Sequence, residues 1–207
     1  SLDTLNPVTF KQLTRGGDVQ RVLNAIDAAL DAGLTPVKIN AVVMKGVNDQ
    51  EILSLVDYFR SYAGQVVLRF IEYMPFTSTH RGTMHVPAAQ IRELIQQRHR
   101  LEPVTKVRGG GPATTWHLPD CGLDIGFISA ITEHFCDQCN RLRLMSDGEL
   151  RTCLSKDDSP SLRDLMRYGA TDDDLEAAIR RMVWRKVEGH EAHKTGQFEG
   201  VMTRVGG

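Results

Sequence analysis

Apolar residues recur along this chain at two periods, and the switches between them divide it into elements. Behind Asp18, a side chain suited to capping a helix, Val19, Val22, Leu23, Ile26, Ala29 and Leu30 fall at helical spacing until Gly33. The β-branched run Val37–Val43, VKINAVV, follows Pro36 and predicts a buried strand with Lys38 and Asn40 on one face. Asn48, with Glu51 three residues on, predicts a capping box at the start of a helix striped by Ile52, Leu53, Val56 and Phe59. Another strand is expected over 66–71, after Gly64, and residues 1–7 read as the end of a strand passing into a loop. This order, with short connections, is that of βα units around a parallel sheet, so the first 75 residues are expected to be the tail of a barrel or an open α/β sheet.

The pattern then changes. Residues 77–84 read as polar loop, and 86–99 as a helix with Ile91, Leu94 and Ile95 inward. The run Gly109-Gly110-Gly111-Pro112 is followed by no P-loop lysine and contains no G-x-G-x-x-G, so it predicts a flexible linker in preference to a phosphate loop. Thr114–Leu118 and Leu123–Ile128 are expected to form a small second sheet, with Cys121 a free thiol in the turn between them. Leu162, Leu165 and Met166 form a short apolar face, and Leu175, Ala178, Ile179, Met182 and Val183 form a longer one. The acidic start Asp172-Asp173-Asp174 reads as favourable charge at a helix N-terminus, not as a metal site.

Composition alters this picture little. The 207 residues are 41% hydrophobic and 25% charged with a net charge of -1, which suits one domain with a sizeable core or one domain plus an appendage. That balance implies no nucleic-acid or membrane partner. No run approaches the roughly 18 apolar residues of a membrane span, and no charged-then-apolar leader opens the chain. Four cysteines, three of them in a metal-like spacing, fit a reducing compartment, so the cytoplasm is expected. A start at Ser1 instead of Met gives the expectation of a fragment.

Chemistry concentrates in FCDQCNRLRLMSDGELRTCL, residues 135–154, where Cys136, Cys139 and Cys153 are spaced C-x2-C-x13-C. Ser146-Asp147-Gly148 supplies a turn that can return the third thiol toward the first two. Three thiolates with His134 would make a four-ligand zinc site; alone they would hold a [4Fe-4S] cluster with one iron free of protein ligand, or they remain unliganded thiols. Arg141 and Arg143 point to one side of an extended run, either as solvated edge residues or as partners of an anion such as phosphate. His117, His190 and His193 read as surface or core histidines.

The combination FCxxCNRLRL and DGxLRxCL resembles the C-terminal cluster motif of the molybdenum cofactor biosynthesis protein A family, the radical S-adenosylmethionine GTP 3',8-cyclases. The resemblance extends to SLD at residues 1–3, VKIN at 37–40, RFIEYM at 69–74, Gly111-Pro112-Ala113 and the terminal Gly206-Gly207. It implies an α/β fold: the later part of an incomplete (βα)6 radical S-adenosylmethionine barrel over residues 1–84, then a small α+β region over 85–207 carrying a second iron-sulfur cluster. By the same resemblance Cys136, Cys139 and Cys153 hold that [4Fe-4S] cluster, and Lys38, Arg69, Arg141 and Arg143 bind GTP. Ser1 and Met74 would contact S-adenosylmethionine, and the Gly206-Gly207 tail would enter the active site.

The implied reaction converts GTP to 3',8-cyclo-7,8-dihydro-GTP, with a downstream cyclic pyranopterin monophosphate synthase and an electron donor as partners; a homodimer is compatible with it. A first cluster on a C-x3-C-x2-C loop is also implied, and this sequence has none, so the chain alone is expected to be inactive. Two other classes remain: a zinc-stabilised nucleotide-binding module without redox chemistry, and a peptide-modifying radical enzyme with an auxiliary cluster. The N-R-L-R-L run at 140–144 argues against the last.

Overall fold

The computed structural model describes residues 1–74, 84–104, 111–133, 135–136, 139–153, 160–184 and 186. The chain divides into two compact units, Ser1–Tyr73 with Thr83–Glu133 and Met74–Gly82 with His134–Gly207.

The first unit begins with α1 (Pro7–Leu13) and α2 (Val19–Asp31), each opened by a side chain that the local sequence supplies. Asn6 accepts from the N–H groups of Val8 and Thr9, and Pro7 takes the first helical position, where a missing N–H costs nothing. Residues 1–6 form no helix, in keeping with the expected loop, and α1 begins at Pro7, the last residue of that stretch. Residues 1–3 lie along the free edge of β1 (Val37–Val43): the Leu2 N–H donates to the Asn40 carbonyl at 2.8 Å, and the Val42 N–H donates to the Asp3 carboxylate at 2.8 Å. Asp18 caps α2 as expected, and Gly33, at φ 75°, follows its end.

A short 3-10 turn, Asp49–Glu51, leads into α3 (Ile52–Phe59), but no capping box forms. Asn48 is buried; its oxygen accepts from Met44 N–H at 2.7 Å, and its amide donates to the carbonyls of Asp3 and Val42 at 2.7 and 2.8 Å. Glu51 accepts from the Thr4 hydroxyl at 2.7 Å and the Leu5 N–H at 3.1 Å. Glu51 finds its partners in the N-terminal segment, and Asn48 finds its partners there and at the end of β1, neither in its own helix.

Strand β2 (Val66–Glu72), α4 (Ala88–Gln96), β3 (Glu102–Pro103), β4 (Thr114–Leu118) and β5 (Leu123–Ile128) complete the unit. One five-stranded sheet runs in the order β1-β2-β5-β4-β3; β1, β2 and β5 are parallel neighbours, and β4 and β3 are antiparallel additions. The expected second sheet is therefore corrected: β4 and β5 extend the same sheet as β1 and β2. Backbone groups on the far edge of β2 need a partner in any case, and β5 supplies it.

Alternation decides the two faces. Ile39, Ala41, Val43, Leu68, Phe70, Ile125 and Phe127 are buried in one core with Ile26 of α2, Leu55, Val56 and Phe59 of α3, and Ile91 and Ile95 of α4. The opposite face carries Asn40, Arg69, Gly126 and Thr115 in register across four strands, with Lys38 two residues before Asn40 on β1.

The second unit contains an antiparallel hairpin, β6 (Arg143–Leu144) with β7 (Leu150–Arg151), then α5 (Leu162–Arg167) and α6 (Asp172–Trp184). Gly148, at φ 87°, donates to the Met145 carbonyl and closes the predicted turn. Asp174 accepts from the Thr171 N–H and hydroxyl, so the acidic start of α6 is a cap. Ala178 and Met182 are its buried residues, whereas Met166 and Val183, expected on inner faces, are 61% and 48% exposed. No helix among the described residues is long and apolar enough to cross a membrane.

Candidate functional site

In the first unit, candidate ligand groups sit on the polar sheet face and at the strand ends. Lys38 and Asn40 alternate with the buried Ile39 and Ala41; Lys38 is exposed, and Asn40 stands beside Arg69 in the parallel register. The Asn40 side-chain oxygen is buried and has no hydrogen-bond partner among the described residues. Arg69 lies opposite Gly126, whose missing side chain leaves room for the arginine stem. Ser1 is exposed at the edge of β1; Met74, the first residue of the second unit, is half-buried. Of these candidates, register brings together Asn40 and Arg69 directly, with Lys38 one pleat away.

Sequence reasoning missed Glu72. Its carboxylate is fully enclosed at the carboxyl end of β2 and accepts from the N–H groups of Ala88 at 2.9 Å, Ile131 at 2.7 Å and Thr132 at 2.9 Å, and from the Thr132 hydroxyl. His85 Nε2 stands 3.7 Å away. Burial alone would push this carboxyl up, but the Thr132 hydroxyl and the three N–H groups outweigh it and hold it below the usual glutamate range. One carboxylate thus ties β2 to the start of α4 and to the turn after β5, which carry the strand-end loops of the sheet. A charged residue closing an apolar strand was the available signal.

In the second unit, Cys136 and Cys139 are joined by a hydrogen bond from the Cys139 N–H to the Cys136 carbonyl at 3.3 Å, and Cys153 lies two residues past β7. None of the four cysteines is in a disulfide, and all are half-buried. Burial would raise the Cys139 thiol, but the Arg141 N–H, together with the Lys186 ammonium 3.3 Å from the sulfur, holds it below the usual range. Among the described residues, no three His, Cys, Asp or Glu side chains stand close enough to hold a metal ion. The donor chemistry nonetheless suits iron-sulfur or zinc, with three soft thiols, one of them held below the usual thiol range.

Arg141 is exposed and Arg143 half-buried on β6; across the hairpin Arg143 pairs with Arg151, the largest fully buried side chain, 3.8 Å from Glu149. Neither Arg151 nor Lys186 was singled out from the sequence. Arg151 could have been suspected from its R-x-C step to Cys153; Lys186 could not, since its partners lie 45 to 47 residues away. His117 pairs with Asp124 at 2.7 Å, as befits a surface histidine. His134, His190, His193, Gly206 and Gly207 lie outside the described residues, as do the expected linker at 109–110 and most of the expected loop at 77–84.

Strands β1, β2 and β5 run parallel, with Glu72 at the carboxyl end of β2, and residues 1–59 match the Radical SAM superfamily. Residues 66–192 match Molybdenum Cofactor Synthesis C, more than half of the chain, and the chain belongs to that family. It is 39% identical over 208 residues to the GTP 3',8-cyclase of Moorella thermoacetica, covering 100% of this chain and 64% of that protein. It is 41% identical over 217 residues to that of Corynebacterium glutamicum, covering 100% of this chain and 57% of the relative. With the Marinobacter nauticus enzyme identity is 40% over 203 residues, 96% of this chain and 61% of the relative. The chain thus spans 57% to 64% of the length of these three proteins.

Proposed function

We propose that this chain forms the later part of a GTP 3',8-cyclase of molybdenum cofactor biosynthesis, which converts GTP to 3',8-cyclo-7,8-dihydro-GTP. The observation that carries the reading is the cysteine block. Half-buried Cys136, Cys139 and Cys153, with the Cys139 thiol held below its usual range, flank Arg141 and Arg143 in a chain of the matching family. Reductive formation of a substrate radical is the chemistry that S-adenosylmethionine and the iron-sulfur centres supply when bound.

The chain's own residues bind and orient. Cys136, Cys139 and Cys153 would hold a second [4Fe-4S] cluster, and Lys38, Arg69, Arg141 and Arg143 would each bring positive charge to the triphosphate of GTP. Ser1 and Met74 would contact S-adenosylmethionine, and Gly206-Gly207 would enter the active site. In this division residues 1–84 would belong to an incomplete (βα)6 barrel and 85–207 would contribute the auxiliary cluster region, although β4 and β5 join the same five-stranded sheet as β1 and β2. Holding C3' of the ribose against C8 of guanine is the protein's contribution to the rate. An electron donor and a downstream pyranopterin synthase in the cytoplasm complete the reading.

Metal and sulfide analysis of anaerobically purified protein, with EPR in the presence and absence of GTP, tests it. About four iron and four sulfide per three-cysteine set, with a signal altered by GTP, is the expected result. One zinc without sulfide would overturn it in favour of a structural zinc site.

A further inference from the structure

Lys186 follows α6, and its ammonium reaches three groups of the cysteine block. It donates to the Cys139 carbonyl at 2.6 Å, to the Arg141 carbonyl at 3.0 Å and to the Cys139 sulfur at 3.3 Å. Two carbonyls on either side of Asn140 are thereby drawn to one point, which fixes the backbone between a cluster thiol and a substrate arginine. These carbonyls belong to no helix or strand, so without the ammonium they would turn to solvent. A long, flexible side chain loses entropy in such an arrangement, and three simultaneous charge-assisted contacts are what offset it.

We propose that Lys186 is a positioning residue for the second cluster: it sets the course of the chain from Cys139 to Arg141 and places a positive charge on one cluster thiolate. The inference rests on Cys136, Cys139 and Cys153 being the cluster ligands. Two consequences follow, one from charge and one from geometry. A donor aimed at a ligating sulfur stabilises the more negative, reduced state and so raises the reduction potential. By fixing the carbonyls of Cys139 and Arg141, the same ammonium also restrains the backbone that would have to move for Cys139 to leave its metal. Since Arg141 leaves the chain where Lys186 holds it, the angle at which that guanidinium meets an anion depends on the same ammonium.

The 207-residue chain contains only one three-cysteine metal spacing, so iron, sulfide and potential measured on the reconstituted chain belong to that set. Lys186→Met is expected to shift the cluster midpoint to more negative potential and to accelerate iron release to a chelator by about tenfold, the loss of one charged hydrogen bond. Lys186→Arg, which keeps the charge, is expected to stay closer to wild type in both. A merely structural lysine would change the melting temperature and leave the potential unmoved. Should Lys186→Met fold poorly by circular dichroism, Lys186→Gln removes the charge while retaining a donor, and the same downward shift is expected. Wild-type potential and release rate in a loaded Lys186→Met or Lys186→Gln chain would overturn the role of Lys186 alone. A wild-type chain that takes up zinc and no sulfide would instead overturn the assignment of the three cysteines, and the role of Lys186 with it.

Discussion

Gly126 stands opposite Arg69 across the parallel β2–β5 pair, and the arginine stem occupies the space where a side chain at 126 would begin. A Cβ there would lie 2.9 Å from Arg69 Cγ and 3.2 Å from Ala113 Cβ, too close for either to stay in place. Gly126→Ala is therefore expected to displace Arg69 along the polar face, weakening GTP binding several-fold and costing about 1–3 kcal/mol of stability. Calorimetric titration with GTP beside a thermal melt checks both, and full affinity in a protein with a displaced Arg69 would remove that residue from the GTP site.

Arg141 is exposed beside the cysteine block and within reach of an incoming anion. Arg141→Ala should reduce GTP affinity or kcat/KM at least tenfold, about 1.4 kcal/mol, as expected for one charged hydrogen bond. Steady-state kinetics of the full-length enzyme with unchanged KM and kcat would sink the assignment.

Glu72 makes stability depend on pH in a stated direction. Its folded pKa lies below the ordinary 4.5, so its contribution is fully present above that value and is lost as pH falls through the folded pKa. Urea midpoints measured from neutral pH down to roughly pH 3 should fall more steeply for wild type than for Glu72→Gln. The variant should already be weaker at neutral pH by about 2–4 kcal/mol, because buried donors lose a charged acceptor. Parallel curves for the two proteins would contradict this.

Asn48 holds the N-terminal segment to the end of β1 through three hydrogen bonds. Asn48→Ala leaves a buried N–H and two carbonyls without that partner, and a loss of about 2–3 kcal/mol is expected by chemical denaturation. Because Asp3 is one of the three partners, proteolysis near the N-terminus should quicken in parallel; protection equal to wild type would mean that residues 1–3 are held by other contacts.

Local regularities carried much of the fold. Helix α2 was legible because Asp18, a 3.6-residue stripe and Gly33 all lie within one short stretch, and β1 because seven residues in a row favour an extended chain. The hairpin turn was legible because Gly148 meets a backbone demand set by its immediate neighbours. The cysteine spacing and its two arginines were legible as well, since a motif is a property of sequence order.

Tertiary structure decided what depends on partners far along the chain. Strands β4 and β5 have the same alternation whether they pair with each other alone or extend a larger sheet, and only the free edge of β2 made the choice. Asn48 and Glu51 have the spacing of a capping box, yet residues 3–5 and the end of β1 came closer and took their hydrogen bonds. Glu72 and Lys186 acquired their roles in the same way, from donors and acceptors brought near by folding. Periodicity records which face of an element is apolar; it says nothing of which polar group will meet which, because a hydrogen bond forms with whatever group folding brings within about 3 Å, whatever its distance along the chain.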